Sequence, residues 1–88
     1  MHKLLTDFVR ARCVAHPAAH VALADFVRAF RATIPASSLE SWRRDRVIEN
    51  LRRGGFAVGI IDRVYYIGGL ALNHQWREQG GQLVSVNA

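Results

Sequence analysis

Between Ser37 and Gly55 the chain reads SSLESWRRDRVIENLRRGG. The segment has a helix start, a helix stop, and five of the chain's twelve basic residues between them. Ser37-Ser38-Leu39-Glu40 fits a capping box, in which the Ser37 hydroxyl accepts from a free N–H of the first turn and Glu40 reaches back to the cap. Gly54 is the expected residue just past the end, supplying a left-handed conformation. The helix so bounded runs from about Ser38 to Arg53. It puts Val47, Ile48 and Leu51 on one face and Trp42, Arg46, Glu49 and Arg53 on the other, with Arg43 and Asn50 beside them. Arg44 falls nearer the apolar side and reads as structural.

A second helix lies close upstream. From about Ala22 to Thr33, residues Leu23, Phe26, Val27, Phe30 and Ile34 share a narrow arc, which marks a central core helix ended by Pro35. Two helices joined by a short turn, the second one basic, form the helix-turn-helix pattern. Lys3 to about Val14 reads as a first helix with Leu4, Leu5, Phe8 and Val9 inward, and His16-Pro17 stops it. Pro17 to Val21 is then a connector, with Val21 as the start of a very short strand at most. Phe56 to Ile61 and Val64 to Gly69 read as two strands, extended by Leu70 and Leu72. Pairing Ile61 with Val64 puts Phe56, Val58, Ile60, Tyr65 and Ile67 on the face that packs on the helices, and Ala57, Gly59, Ile61, Val64 and Tyr66 on the other. Asp62-Arg63 is not a favoured type I′ pair, so a four-residue loop with the same facing is the alternative to a two-residue turn. The expected fold is therefore α+β, a winged helix-turn-helix of three helices and a C-terminal hairpin wing over residues 1–72. Residues 73–88 read as a tail, with one or two helical turns at Asn73–Gln79 and Leu83–Val86 as an edge strand or loose chain.

Eighty-eight residues with a net charge of +5 leave room for one such domain and no deep substrate cleft. Eleven of the basic residues are arginine, whose planar fork suits phosphate and guanine edges. Charge alone does not separate nucleic acid from an acidic protein or an anionic membrane. The N-terminus carries Asp7 and Arg10 inside its apolar pattern, unlike a signal peptide, and no uncharged stretch is long enough to span a bilayer. One cysteine, Cys13, fits a reducing cytoplasm. Cys13, His16 and His20 have ligand-like spacing, but a structural zinc site takes four ligands, so no metal or cofactor is expected. No phosphate-binding glycine loop or nucleophile motif is present, and no enzyme activity is expected of this chain.

The aromatic pair Phe26 and Phe30, the LRRGGF ending of the basic helix, and the hairpin V-x-x-x-x-R-V-Y-Y-I-G-G-L-x-L carry a resemblance. Over roughly residues 4–72 the chain resembles the winged-helix domain at the C-terminus of P4-like primase-helicases of phages and plasmids. That resemblance implies a role in DNA replication and contact with origin DNA. It implies none of the helicase or primase chemistry, and a helicase or primase domain is a further expected partner. With duplex DNA as the partner, Ser38, Trp42, Arg43, Arg46 and Asn50 are expected in the major groove with Arg53 on the same face, Arg63 in the minor groove or on phosphate, and the Tyr66 hydroxyl on phosphate. The alternative for helix 3 is a solvated charged face with Trp42 packed against the turn. The alternative function is a protein-interaction domain that uses the wing and tail through Ile61, Val64, Tyr66 and Trp76.

Overall fold

The computed structural model describes residues 1–86. Its elements are α1 (Lys3–Arg12), β1 (Cys13–Ala22), α2 (Leu23–Arg31), a 3-10 turn (Ala36–Ser38), α3 (Arg44–Arg53), β2 (Val58–Ile61), β3 (Val64–Leu72), β4 (Trp76–Gln79) and β5 (Gln82–Ser85). β1, β3 and β2 form an antiparallel sheet in that order, and β4 pairs with β5 alone. This α+β arrangement of three helices and small antiparallel sheets is compatible with a winged-helix-like fold.

The core lies between the helices and one face of the three-stranded sheet. Leu5 and Phe8 of α1, Leu23, Phe26 and Phe30 of α2, Val47 and Leu51 of α3, and Val21, Ile67, Leu70 and Leu72 of the sheet are all buried in it. Phe8 meets the rings of Phe26 and Phe30 edge-on, at 5.2 and 5.5 Å between centroids. These are the positions that helical spacing marked on α1 and α2.

Helix 3 departs from its sequence signals. It begins at Arg44, not Ser38, and Ser37 to Glu40 form no capping box. The chain instead turns through Ala36–Ser38 and brings Trp42 inward, 2% exposed, with its ring 5.2 Å from that of Phe30. On a helix continued back to Ser38, Trp42 would face away from Val47 and Leu51. Burying an indole is worth several times a cap, so the non-helical path wins. The Arg31 guanidinium holds that path by donating to the carbonyls of Leu39 (2.6 Å) and Trp42 (2.8 Å). At the other end the stop falls one residue later than expected. Gly54 has φ −78°, and Gly55, at φ 87°, takes the left-handed conformation. Phe56 N–H then donates to Leu51 O and Gly55 N–H to Arg52 O, a Schellman closure.

The expected connector is a ten-residue strand. The helix ends at Arg12; Cys13 caps it, its N–H donating to Val9 O, and already pairs with Leu72 as the first residue of the strand. β1 tolerates Pro17 because the register breaks there. Ala15 pairs with Leu70 and His20 with Gly68, so four residues bulge opposite Gly69. The β2–β3 hairpin closes with Ile61 opposite Val64, the two-residue turn of the two alternatives. Asp62 and Arg63 take φ 50° and 68°, the type I′ geometry that their identities disfavour. Ile60 lies on the predicted inner face but extends past the core and is 59% exposed.

Residues 73–86 are not a tail with a helix. Gly80 and Gly81, both at positive φ, join β4 to β5. Asn87 and Ala88, the end of the expected tail, lie outside the described residues.

Candidate nucleic-acid interface

Four of the helix-3 residues expected to meet DNA are built into the protein instead. Ser38 sits in the 3-10 turn, where its N–H donates to Pro35 O and its carbonyl accepts from the Ser41 hydroxyl. Trp42 is in the core and cannot reach a groove. Arg46 lies with its guanidinium 4.1 Å over the Trp42 ring and donates to Ser41 O at 3.2 Å. Asn50 donates to Arg46 O and accepts the His2 N–H through Oδ1, both at 3.0 Å. Its amide ties the N-terminal segment to α3, and both polar ends are occupied.

Arg43, Arg53 and Arg63 remain on the surface. Arg43 meets Glu40 at 3.3 Å and Arg53 meets Glu49 at 2.6 Å, both pairs well exposed. Exposed pairs of this kind contribute roughly 0–1 kcal/mol, so a phosphate competes readily for either arginine. Arg63 stands at the hairpin tip with no ion pair or hydrogen bond among the described residues. Tyr66 lies apart from this group. It pairs with Ala22 and Gly59, on the sheet face opposite Ile67, and its ring meets His20 edge-on at 5.4 Å.

The structure brings forward residues that helical spacing had set aside. Arg44, Ile48 and Arg52 follow one another at four-residue intervals along α3 and face the β2–β3 hairpin. With Asp45, Glu49, Arg53 and Tyr65 they line an open cleft of about 600 Å³ between helix and hairpin. Arg44 rests 4.8 Å from the centroid of the Tyr65 ring, which fixes its head group at the mouth. The Arg52 side chain is exposed and its guanidinium has no ion pair or hydrogen bond among the described residues. Three arginines against two carboxylates leave the cleft with a net positive lining. The stripe of Arg44, Ile48 and Arg52 was readable as a helix face, but its meaning depends on where the hairpin lies. Arg31, which shapes the approach to α3, had no sequence signal because its acceptors are main-chain carbonyls.

Other groupings do not form sites. Among the described residues no three of His, Cys, Asp and Glu come together to hold a metal ion. Cys13 is half-buried and its thiol is pushed up to about 11 by desolvation. His16 accepts from Ala18 N–H at Nδ1, so Nε2 carries the proton and donates to Gly81 O at 2.8 Å. No described helix is long and apolar enough to cross a membrane. No known protein family, characterised protein or solved structure matches the chain.

Proposed function

We propose that this chain is a winged helix-turn-helix domain that binds duplex DNA, with α2 and α3 as the helix-turn-helix and β2–β3 as the wing. The observation that carries this reading is the cleft in which Arg44, Arg52 and Arg53 of α3 face the hairpin that bears Arg63. In this reading α3 lies along the major groove, and Arg43, Arg44, Arg52 and Arg53 supply phosphate contacts and forked contacts to guanine. Arg63 follows the adjacent backbone or minor groove. Ser38, Trp42, Arg46 and Asn50 act as the frame that sets the helix. Asp45 and Glu49 temper non-specific attraction. The role asks no catalysis of the chain itself. Its setting in a cytoplasmic phage- or plasmid-type replication protein rests on the resemblance of residues 4–72 alone.

Gel shifts at rising salt test the reading. Four to six phosphate contacts give a log–log slope of roughly −4 to −5. Arg44→Ala and Arg52→Ala should each weaken binding with little change in melting temperature, and each should make the slope shallower by about 1. A complex insensitive to salt, or no complex with any duplex at low salt, would refute DNA binding. Full binding by both variants would move the site off the cleft.

A second reading has its own observation. Tyr66, exposed Ile61 and exposed Val64 lie on the sheet face away from Ile67, and Tyr66 and Trp76 line one shared depression with His20. That face suits a protein partner. Loss of partner binding on Tyr66→Ala with DNA binding intact would favour it.

A further inference from the structure

The outer edge of the three-stranded sheet carries main-chain groups that the proposed DNA contacts do not use. β2 is the outer strand, paired only with β3. Its hydrogen-bonding groups can be sorted by parity. Gly68 N–H donates to Ala57 O, so the groups of Ala57 point inward, and alternation along an antiparallel pair points those of Gly59 and Ile61 inward too. The N–H and C=O of Val58 and Ile60 therefore point out, away from the sheet. Native edges are usually guarded by charge, proline or a covering segment. Val58-Gly59-Ile60-Ile61 has no charge and no proline, and Ile60 and Ile61 are 59% and 62% exposed.

We propose that β2 pairs antiparallel with β2 of a second copy of this chain, about a two-fold axis through Gly59. In this register Val58 faces Ile60 of the second copy, and Ile60 faces its Val58. Both outward pairs exchange N–H and C=O, giving four hydrogen bonds and using every free group of the strand. A two-fold axis makes the same patch serve both sides. Gly59 meets Gly59 at the axis, a non-hydrogen-bonded pair in which side chains come closest; it has none, and the space beside it is open. Each exposed Ile60 is covered by the opposing Val58, and each Ile61 lies beside the opposing Ala57.

Charge favours a like chain as the occupant. The register sets Asp62 of one hairpin tip opposite Phe56 of the other copy, next to the end of its α3. Arg52 and Arg53 form the basic last turn there. Arg63 comes to the same end, where the helix carbonyls offset its approach to those arginines, so Asp62 carries the attraction. The contact is a short strand and is smaller than the roughly 800 Å² per partner of a standard interface, so the dimer is weak and forms at high concentration.

The test needs no DNA, so its outcome is independent of the DNA-binding reading. Sedimentation equilibrium and amide shifts of the full chain are followed from about 10 µM to 1 mM, a range that spans a dissociation constant on the order of 100 µM. A monomer–dimer equilibrium is expected. The amide protons of Val58 and Ile60 should move downfield with concentration while those of Gly59 and Ile61 stay nearly fixed. Ile60→Lys sits on an exposed side chain and should leave the melting temperature nearly unchanged while weakening the dimer at least tenfold. Asp62→Arg should weaken it less, and the difference should shrink in high salt. A chain monomeric throughout overturns the proposal. So does a dimer whose shifts centre on Tyr66 and Trp76, or one that Ile60→Lys leaves intact.

Discussion

The residue that decides the shape of the α2–α3 turn is Arg31, and its role is structural. Its guanidinium bridges two carbonyls that a helix from Ser38 would have turned into its own ladder. Replacing it with methionine keeps most of the stem and removes the donors. The part-buried carbonyls of Leu39 and Trp42 then lose a charged partner, and a cost of about 1–3 kcal/mol is expected in urea unfolding. A change below about 0.5 kcal/mol, the usual range for an inert surface substitution, would show that Trp42 burial alone holds the turn. Cys13 gives a second expectation at this scale. Burial raises its thiol from 9.0 to about 11, so the neutral form is the one the fold prefers. Below pH 9 both folded and unfolded chains hold that proton, and stability is unaffected. Between pH 9 and about 11 the unfolded chain releases it first, so this contribution is lost as pH rises. Thiol labelling should be correspondingly slow at pH 8 in the native protein and fast in urea. Equal rates in both would contradict the burial.

At the scale of elements, the β2–β3 turn separates stability from binding. Asp62 and Arg63 both take left-handed angles, which cost an ordinary residue roughly 1–2 kcal/mol. Asn-Gly is the pair this turn prefers. The double substitution Asp62→Asn with Arg63→Gly should raise the melting temperature by about 4–8 °C for each kcal/mol gained. The same change removes the tip arginine, so the salt slope of the proposed DNA binding should fall in magnitude by about 1. A more stable protein with an unchanged slope would show that Arg63 makes no phosphate contact. The turn also shows what local sequence rules can miss. Ile61 and Val64 pair because the strands beyond them must place Val58 and Ile67 on the core, and that alignment outweighs the turn's own preference. The inner faces of α1 and α2 and the β2–β3 register were legible because apolar spacing reports burial directly. Three elements were not. The start of α3 gave way to the burial of Trp42. β1 contains His16, Pro17 and four alanines, none of which signals a strand, and forms because β3 offers it an edge. β4 is polar except for Trp76 and read as helical turns, whereas its partner β5 was legible as the edge-strand alternative at Leu83–Val86. The candidate site was legible in kind, as arginines on the third helix. Its members were not, because the helix start and the placement of the β2–β3 hairpin beside α3 decide which arginines face the cleft.

For the molecule as a whole, the two sheets differ in how they are held. The three-stranded sheet shares the core with all three helices. The β4–β5 hairpin has four exposed residues in β4, lies beside β1, and is hydrogen-bonded to the rest of the fold at its two ends. At its base, Asn73 donates from its main chain to Arg12 O at 2.8 Å and from its side chain to Ala11 O at 2.9 Å, closing the open carbonyls of α1. At its tip, His16 Nε2 donates to Gly81 O. An isolated two-stranded hairpin is marginal in water, so these attachments decide whether it stays ordered. Removing the tip contact with His16→Ala should therefore open the hairpin without unfolding the domain. Amide exchange of residues 76–85 should speed up by about 10-fold or more, the equivalent of one lost hydrogen bond of roughly 1.5 kcal/mol. Exchange in β1, β3 and α2 should stay near its original rate, because those amides open only with the core. The urea midpoint should barely move. A fall in global stability instead, with exchange rising everywhere, would make the hairpin part of the cooperative unit, and the depression lined by Trp76, His20 and Tyr66 would then be a rigid feature of the domain.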